Sequence, residues 1–183
     1  MGSPNKLGIW AQQFRAPFLL LAVVLVLIGL AYAAKFSITD SYNYFHAVLL
    51  MLGVIAAHSS VNLFNEYSDY NTKIDFNTHR NPFSGGSGML TEGHTKPKSV
   101  LFAAIMTLMI GLAIGIYFVI VSHWVLIILI ALGAFAIVFY TNFLAKIMLG
   151  ELFAGMTLGS FVVIGAYVAM TATPEALCNN LIP

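Results

Sequence analysis

Charge is what this sequence has least of. Only 8% of its 183 residues are Asp, Glu, Lys or Arg, where soluble domains carry roughly 25%, and 60% are hydrophobic. That balance excludes an ordinary soluble domain and points to a membrane. Eight basic residues against seven acidic ones leave a net charge of +1, too weak a field to gather nucleic acid. Cysteine is nearly absent. Cys178, the single one, excludes an intrachain disulfide and a thiolate metal cluster, and it reads as an inert small apolar residue. No small-residue cleavage site follows the first apolar run, so that run is expected to be a retained helix and not a signal peptide.

What is present is a series of long apolar runs, at Phe18–Ala34, Tyr44–Phe64, Ser99–Val121, Trp124–Tyr140 and Leu149–Met170. Crossing the hydrocarbon takes about 20 residues of helix. Lipid cannot satisfy open backbone groups, and these runs lack the alternating polarity of barrel strands, so helices are expected. The sequence therefore predicts an all-α polytopic membrane protein, a single transmembrane domain over residues 1–183 with five spans. Trp10, with Ile9 and Phe14, suits a short amphipathic segment at the membrane interface. Gly111 with Gly115, and Gly155 with Gly159, form G-x-x-x-G steps that permit close helix packing. Lys6, Arg15, Lys73, Arg80, Lys96, Lys98 and Lys146 fall on one side of this arrangement and Lys35 on the other. That asymmetry places the N-terminus and the polar loop 65–98 in the cytoplasm.

The polar interruption from Asn62 to Lys98 carries the chemistry. It holds Glu66, Asp69, Asp75 and Glu92 together with Lys73, Arg80, Lys96 and Lys98. If the second helix continues to about Tyr70, then His58, Asn62, Asn65 or Glu66, and Asp69 recur at steps of three or four and share one face. Asp75 lies past a helix end at Asn71 and Thr72, from where it can fold back to face Asp69. Carboxylates with an amide oxygen, without clustered thiols or imidazoles, make a hard-oxygen site suited to magnesium. Magnesium held by few carboxylates shares its shell with substrate phosphates. Asn65, Asp69 and Asp75 are thus the candidate catalytic residues, Asp69 and Asp75 the candidate metal ligands, with Asn65 and Glu66 as further ones. A plainer reading makes these acids solvated loop residues balanced by Lys73 and Arg80. Their regular spacing at the end of an apolar helix argues against it.

The stretch Asn81-Pro82-Phe83-Ser84-Gly85-Gly86-Ser87-Gly88 reads either as a flexible linker or as a lid whose backbone N–H groups approach an anion. The lysine and preceding strand of a P-loop are missing. Arg80, Lys96 and Lys98 read either as contacts for a diphosphate or as the basic residues that the positive-inside rule requires of such a loop. Tyr140, Asn142 and Lys146 with Glu151 form a second, smaller polar cluster on the same side. Tyr67, Tyr70 and Tyr140 are candidates to line a pocket and stabilise a developing cation through their ring faces. His58 and His123 have no partner at ligand spacing and read as core or interface residues.

Asn65-Glu66-Tyr67-Ser68-Asp69, with Asp75 beyond, resembles the first aspartate-rich motif of the UbiA-type membrane prenyltransferases. Its spacing is more like the 1,4-dihydroxy-2-naphthoate (menaquinone pathway) branch than the hydroxybenzoate or haem O branches. Arg80 to Gly93 and the TNFLAKIMLGELFAG stretch are similar to later family positions. Glu66 stands where Asp is usual, and Asn142 near a position often occupied by Pro. The resemblance implies an all-helical membrane enzyme of about nine spans. Such an enzyme moves an isoprenoid chain from an allylic diphosphate to an aromatic or other lipophilic acceptor, with Mg2+ as cofactor. It also implies that Asn65, Asp69 and Asp75 form the magnesium–diphosphate motif, and that Arg80, Lys96, Tyr140 and Lys146 bind substrate. The family's second aspartate-rich motif does not occur in these residues. The chain is therefore expected to be the N-terminal part of a longer protein and not to complete the site alone. The alternatives are a cation-coupled transporter or channel fragment, whose acids belong near the membrane midplane on broken helices, and a non-catalytic structural membrane protein.

Overall fold

The computed structural model describes residues 5–36, 42–81, 86–139 and 150–171, and among them every long element is a helix. Helix α1 (Lys6–Gln13) opens where the Asn5 side chain accepts the Gly8 N–H at 2.7 Å. Arg15, in the left-handed region at φ 53°, then turns the chain into α2 (Ala16–Phe36). Asn43 caps α3 (Tyr44–Asn71) by accepting the His46 N–H at 3.1 Å. A second left-handed residue, Lys73 at φ 61°, ends α3 and starts the single turn α4 (Ile74–Asn77). Pro97 opens α5 (Pro97–Val121), where its missing N–H leaves no bond unmade. Helix α6 (Leu126–Phe139) follows. The last described stretch runs as α7 (Gly150–Ala154), a π-helical segment (Gly155–Phe161) and α8 (Val162–Thr171).

The all-α polytopic expectation holds. Helices α2, α3, α5 and Leu152–Thr171 are each long and apolar enough to cross a bilayer. Helix α6 is as apolar but has 14 described residues, about 21 Å at 1.5 Å per residue, and residues 140–149 beyond it lie outside the described ones. The outer surface is apolar too: Phe45, Phe102 and Ile120 are all exposed. In water such a surface would be a liability, whereas in lipid it costs nothing.

Close approach depends on glycine at the α3–α5 contact. A Cβ added at Gly53 would meet Ile114 Cγ2 at 2.7 Å, and one at Gly111 would meet Ala57 Cβ and the Gly53 carbonyl at 3.3 Å. Gly111 therefore does what its motif suggested. Gly155 and Gly159 do not: among the described residues nothing lies within 4 Å of either added Cβ. Helix α2 packs on α8, and Val26, Leu30, Leu50, Phe118, Leu126 and Ala166 form the main core. A smaller core of Leu63, Leu90, Val100 and Ala104, flanked by Phe14, Tyr67 and Tyr70, sits at the end of the bundle where α1, the close of α3 and the start of α5 meet. This second core fixes residues 86–96 as an ordered cap.

Candidate active site

Between the helices lies a cavity of about 820 Å³, walled mainly by aliphatic side chains of α2, α3, α5, α6 and α8 and by Thr157, Leu158 and Phe161 of the π-helical segment. The widened π turn is a common way to reshape a wall at a functional site. Polar residues gather at one end, where Arg15, His58, Asn62 and Asn65 reach the lining. Asn62 Nδ2 donates to the Phe14 carbonyl at 2.9 Å and ties α3 to the α1–α2 junction. His58 is 6% exposed, and its Nδ1 is a buried side-chain atom without a hydrogen-bond partner among the described residues. Buried polar atoms are nearly always paired, so this ring marks a place where a polar ligand group would be welcome.

Just beyond that end stand the acids. Helix α3 runs without a break through Asn62, Asn65, Glu66 and Asp69 and ends at Asn71. Lys73 then reverses the chain and brings Asp75, on α4, back beside them: the charge of Asp75 acts on both Asp69 and Glu66. Asp75 is buried, and this burial pushes its pKa above the ordinary aspartate range, with Arg80 and Arg15 pulling it partly back. Gly86, at φ 70°, lies so close that an added Cβ would fall 2.6 Å from Asp75 Oδ2. Only glycine fits there, in both conformation and space.

The other expected residues are placed differently from one another. Glu66 is 2% exposed and fully engaged: its Oε1 accepts the Ser87 N–H, and its Oε2 accepts the Ser87 hydroxyl at 2.7 Å and Gln13 Nε2 at 3.1 Å. Its carboxylate thus anchors the cap. Arg80 lies along the cap, donating to Glu92 Oε1 and to Thr91 Oγ1, while its charge also reaches Asp75. Lys96 is exposed at the start of α5. Tyr140, Asn142 and Lys146 lie outside the described residues, as does the side chain of Glu151. Tyr67 and Tyr70 pack against the small core under the cap.

Arg15 is the residue that sequence reading missed, having taken it only for a charge that sets topology. It is placed over the Phe18 ring at 4.5 Å, lines the cavity, and its charge acts on Glu66, Asp69, Asp75 and His58 together. Gln13, Ser87 and Thr95 were missed as well. Their partners are 53, 21 and 82 residues away, and no local spacing signals such contacts.

A carboxylate pair just past the polar end of an apolar cavity, with an amide and a cation in that lining, can hold a charged head group while its lipid tail enters the bundle. Among the described residues no group of three or more His, Cys, Asp or Glu side chains is arranged to hold a metal ion by itself. Two carboxylates of hard-oxygen type do suit a magnesium ion that takes its remaining ligands from substrate phosphate and water. No curated protein and no solved structure matches the chain. A family model does: that of the UbiA prenyltransferase family, over residues 20–178.

Proposed function

Because the chain belongs to the UbiA prenyltransferase family, we propose that it binds an allylic prenyl diphosphate at Asp69 and Asp75 for transfer of the isoprenoid chain to an aromatic or other lipophilic acceptor. What supports this reading is that Asp69 follows Asn65 by one turn of α3, just past the polar end of an apolar cavity of about 820 Å³, with Asp75 close enough for its charge to act on Asp69. A prenyl diphosphate has the same division into a charged head and an apolar tail. The motif spacing of Asn65, Asp69 and Asp75 supports the naphthoate-type, quinone-forming branch.

In this reading Asp69 and Asp75 hold magnesium, with Asn65 beside them. When bound there, the ion would neutralise the diphosphate and improve it as a leaving group. Arg15 faces the same anion from the cavity side and takes up charge as the allylic C–O bond opens. Arg80 approaches from the cap, and Lys96, Tyr140 and Lys146 complete the proposed substrate contacts. The aliphatic walls receive the isoprenoid tail. His58 offers a ring nitrogen to an oxygen of the acceptor. The cap keeps water, which would also capture the allylic cation, from the mouth.

The basic residues gathered at this end support a cytoplasmic site. A transporter would carry its acids near the midplane on broken helices, whereas Asp69 lies near the end of an unbroken α3 and Asp75 beyond it. The test uses farnesyl thiodiphosphate, which keeps the head and tail but ionises poorly. The purified protein in lipid nanodiscs is expected to bind it with magnesium and to lose it on chelation. Equal binding of a farnesyl chain lacking the diphosphate would sink the reading.

A further inference from the structure

The cap is fastened by a buried amide from outside the motif. Gln13 is the last residue of α1 and is 0% exposed, while Leu7 on the same helix is 82% exposed. Gln13 is the one residue of α1 that is buried. Both ends of this amide are used: Nε2 donates to Glu66 Oε2 at 3.1 Å, and Oε1 accepts the Thr95 hydroxyl at 2.7 Å. Glu66 in turn accepts the backbone N–H and hydroxyl of Ser87. The far side of the cap closes on itself, with Met89 O accepting the N–H groups of His94 and Thr95 at 2.9 and 3.1 Å. One amide therefore joins α1 to the end of α3 and to the Thr95 limb of the cap, and Glu66 carries the link on to the Ser87 limb. Gly86, next to Ser87, rests against the Asp75 carboxylate, so whatever fixes Ser87 also fixes the cover of the acidic pair.

We propose that Gln13 is a positioning residue, latching α1 to Glu66 and Thr95 so that residues 86–95 are held in place with Gly86 against Asp75, covering that carboxylate. The proposal rests on the diphosphate-binding reading for its purpose but not for its existence. An ionised carboxylate only accepts, so the direction of every bond in the latch is set. Gln13→Leu keeps the bulk and removes both bonds. It leaves the Thr95 hydroxyl without its acceptor and Glu66 short of one donor in a buried setting. Exchanging the pair, with Gln13→Glu and Glu66→Gln together, restores the link with one bond reversed: residue 13 then accepts from Thr95 and from the new amide, whose oxygen still accepts the Ser87 N–H, while the Ser87 hydroxyl turns to accept from the amide N–H2.

Hydrogen–deuterium exchange of the whole chain in lipid nanodiscs reads the latch directly, because amides of a locally opening segment exchange on its own opening equilibrium. Gln13→Leu is expected to speed exchange over residues 87–95 by roughly tenfold, ~1.4 kcal/mol, with α2 and α5 unchanged. The exchanged pair should return the cap to near wild-type protection. Farnesyl thiodiphosphate with magnesium should slow cap exchange in the wild type, since a ligand under the cap favours the closed form. Unchanged exchange in Gln13→Leu, or faster exchange spread equally through α2, α3 and α5, overturns the latch. So does a folded exchanged pair that leaves the cap open. Binding of the probe without slower cap exchange overturns the claim that the cap covers the site. If the probe does not bind the wild type at all, the transferase reading fails, and the Gln13→Leu and exchanged-pair data still decide the latch.

Discussion

Asp75→Asn should make the protein bind worse and melt later. The carboxylate is buried, sits against Gly86 and repels Asp69; the charge-neutral amide keeps its shape. Loss of a residue that merely supports a metal ligand typically costs 10–100-fold in metal affinity, so losing one of two carboxylate ligands should cost roughly a hundredfold or more, ~2.7 kcal/mol. Magnesium-dependent affinity for farnesyl thiodiphosphate, by isothermal titration, measures this. Stability moves the other way. Burial raises the Asp75 pKa above 3.8, against the pull of Arg80 and Arg15, so the folded state holds this proton more tightly than the unfolded chain does. Asp75 then contributes stability when protonated, and that contribution is lost as pH rises from about its unfolded value through the raised folded one. At neutral pH the unliganded wild type bears this burden and Asp75→Asn does not. Arg80 and Arg15 offset part of that burial cost, so the expected gain is about 0.5–1 kcal/mol, or roughly 1–4 °C in Tm. The gain should shrink as pH falls through the raised folded-state pKa toward the ordinary aspartate value, because wild-type Asp75 takes up its proton on the way. Near-normal affinity in Asp75→Asn would refute the paired-carboxylate site. A lower Tm at neutral pH would refute the electrostatic burden and make Asp75 a structural acceptor.

Two further outcomes test neighbouring parts of the reading. Arg15→Gln should weaken probe binding roughly tenfold or more, the worth of a hydrogen bond to a charged group; unchanged affinity would leave Arg15 as a balance for the acids alone. With Cys178→Ser as background, Glu92→Cys should be labelled by a membrane-impermeant maleimide only from the cytoplasmic face, and Lys35→Cys only from the other. Labelling of both from one face would overturn the proposed sidedness.

Much of the framework was legible because lipid permits so few answers. A run such as Phe18–Ala34 must be helical wherever it packs, and the structure gives α2 at Ala16–Phe36. The continuation of the second helix through Asn65 and Asp69 was legible for a related reason: steps of three and four are a property of one helix and need no partner. Its observed end at Asn71 falls where the sequence reading put a helix end, at Asn71 and Thr72.

What lay in pairings between elements could not be read this way. The two G-x-x-x-G steps look alike in sequence, yet Gly111 meets Ala57 and Gly155 meets nothing within 4 Å among the described residues. Glu66 reads as a member of the acidic motif, and only the approach of Ser87 and Gln13 turns its carboxylate into an anchor. Arg15 reads as one more basic residue on the expected side. A left-handed turn at φ 53° is what aims it at the cavity mouth. The sequence by itself determined that the chain is a set of membrane helices with an acidic stripe at one end. Packing between elements decided that Glu66 is bonded to Ser87 and Gln13 while Asp75 comes back beside Asp69. The Glu66 bonds join residues tens of positions apart, and local periodicity carries no information about them.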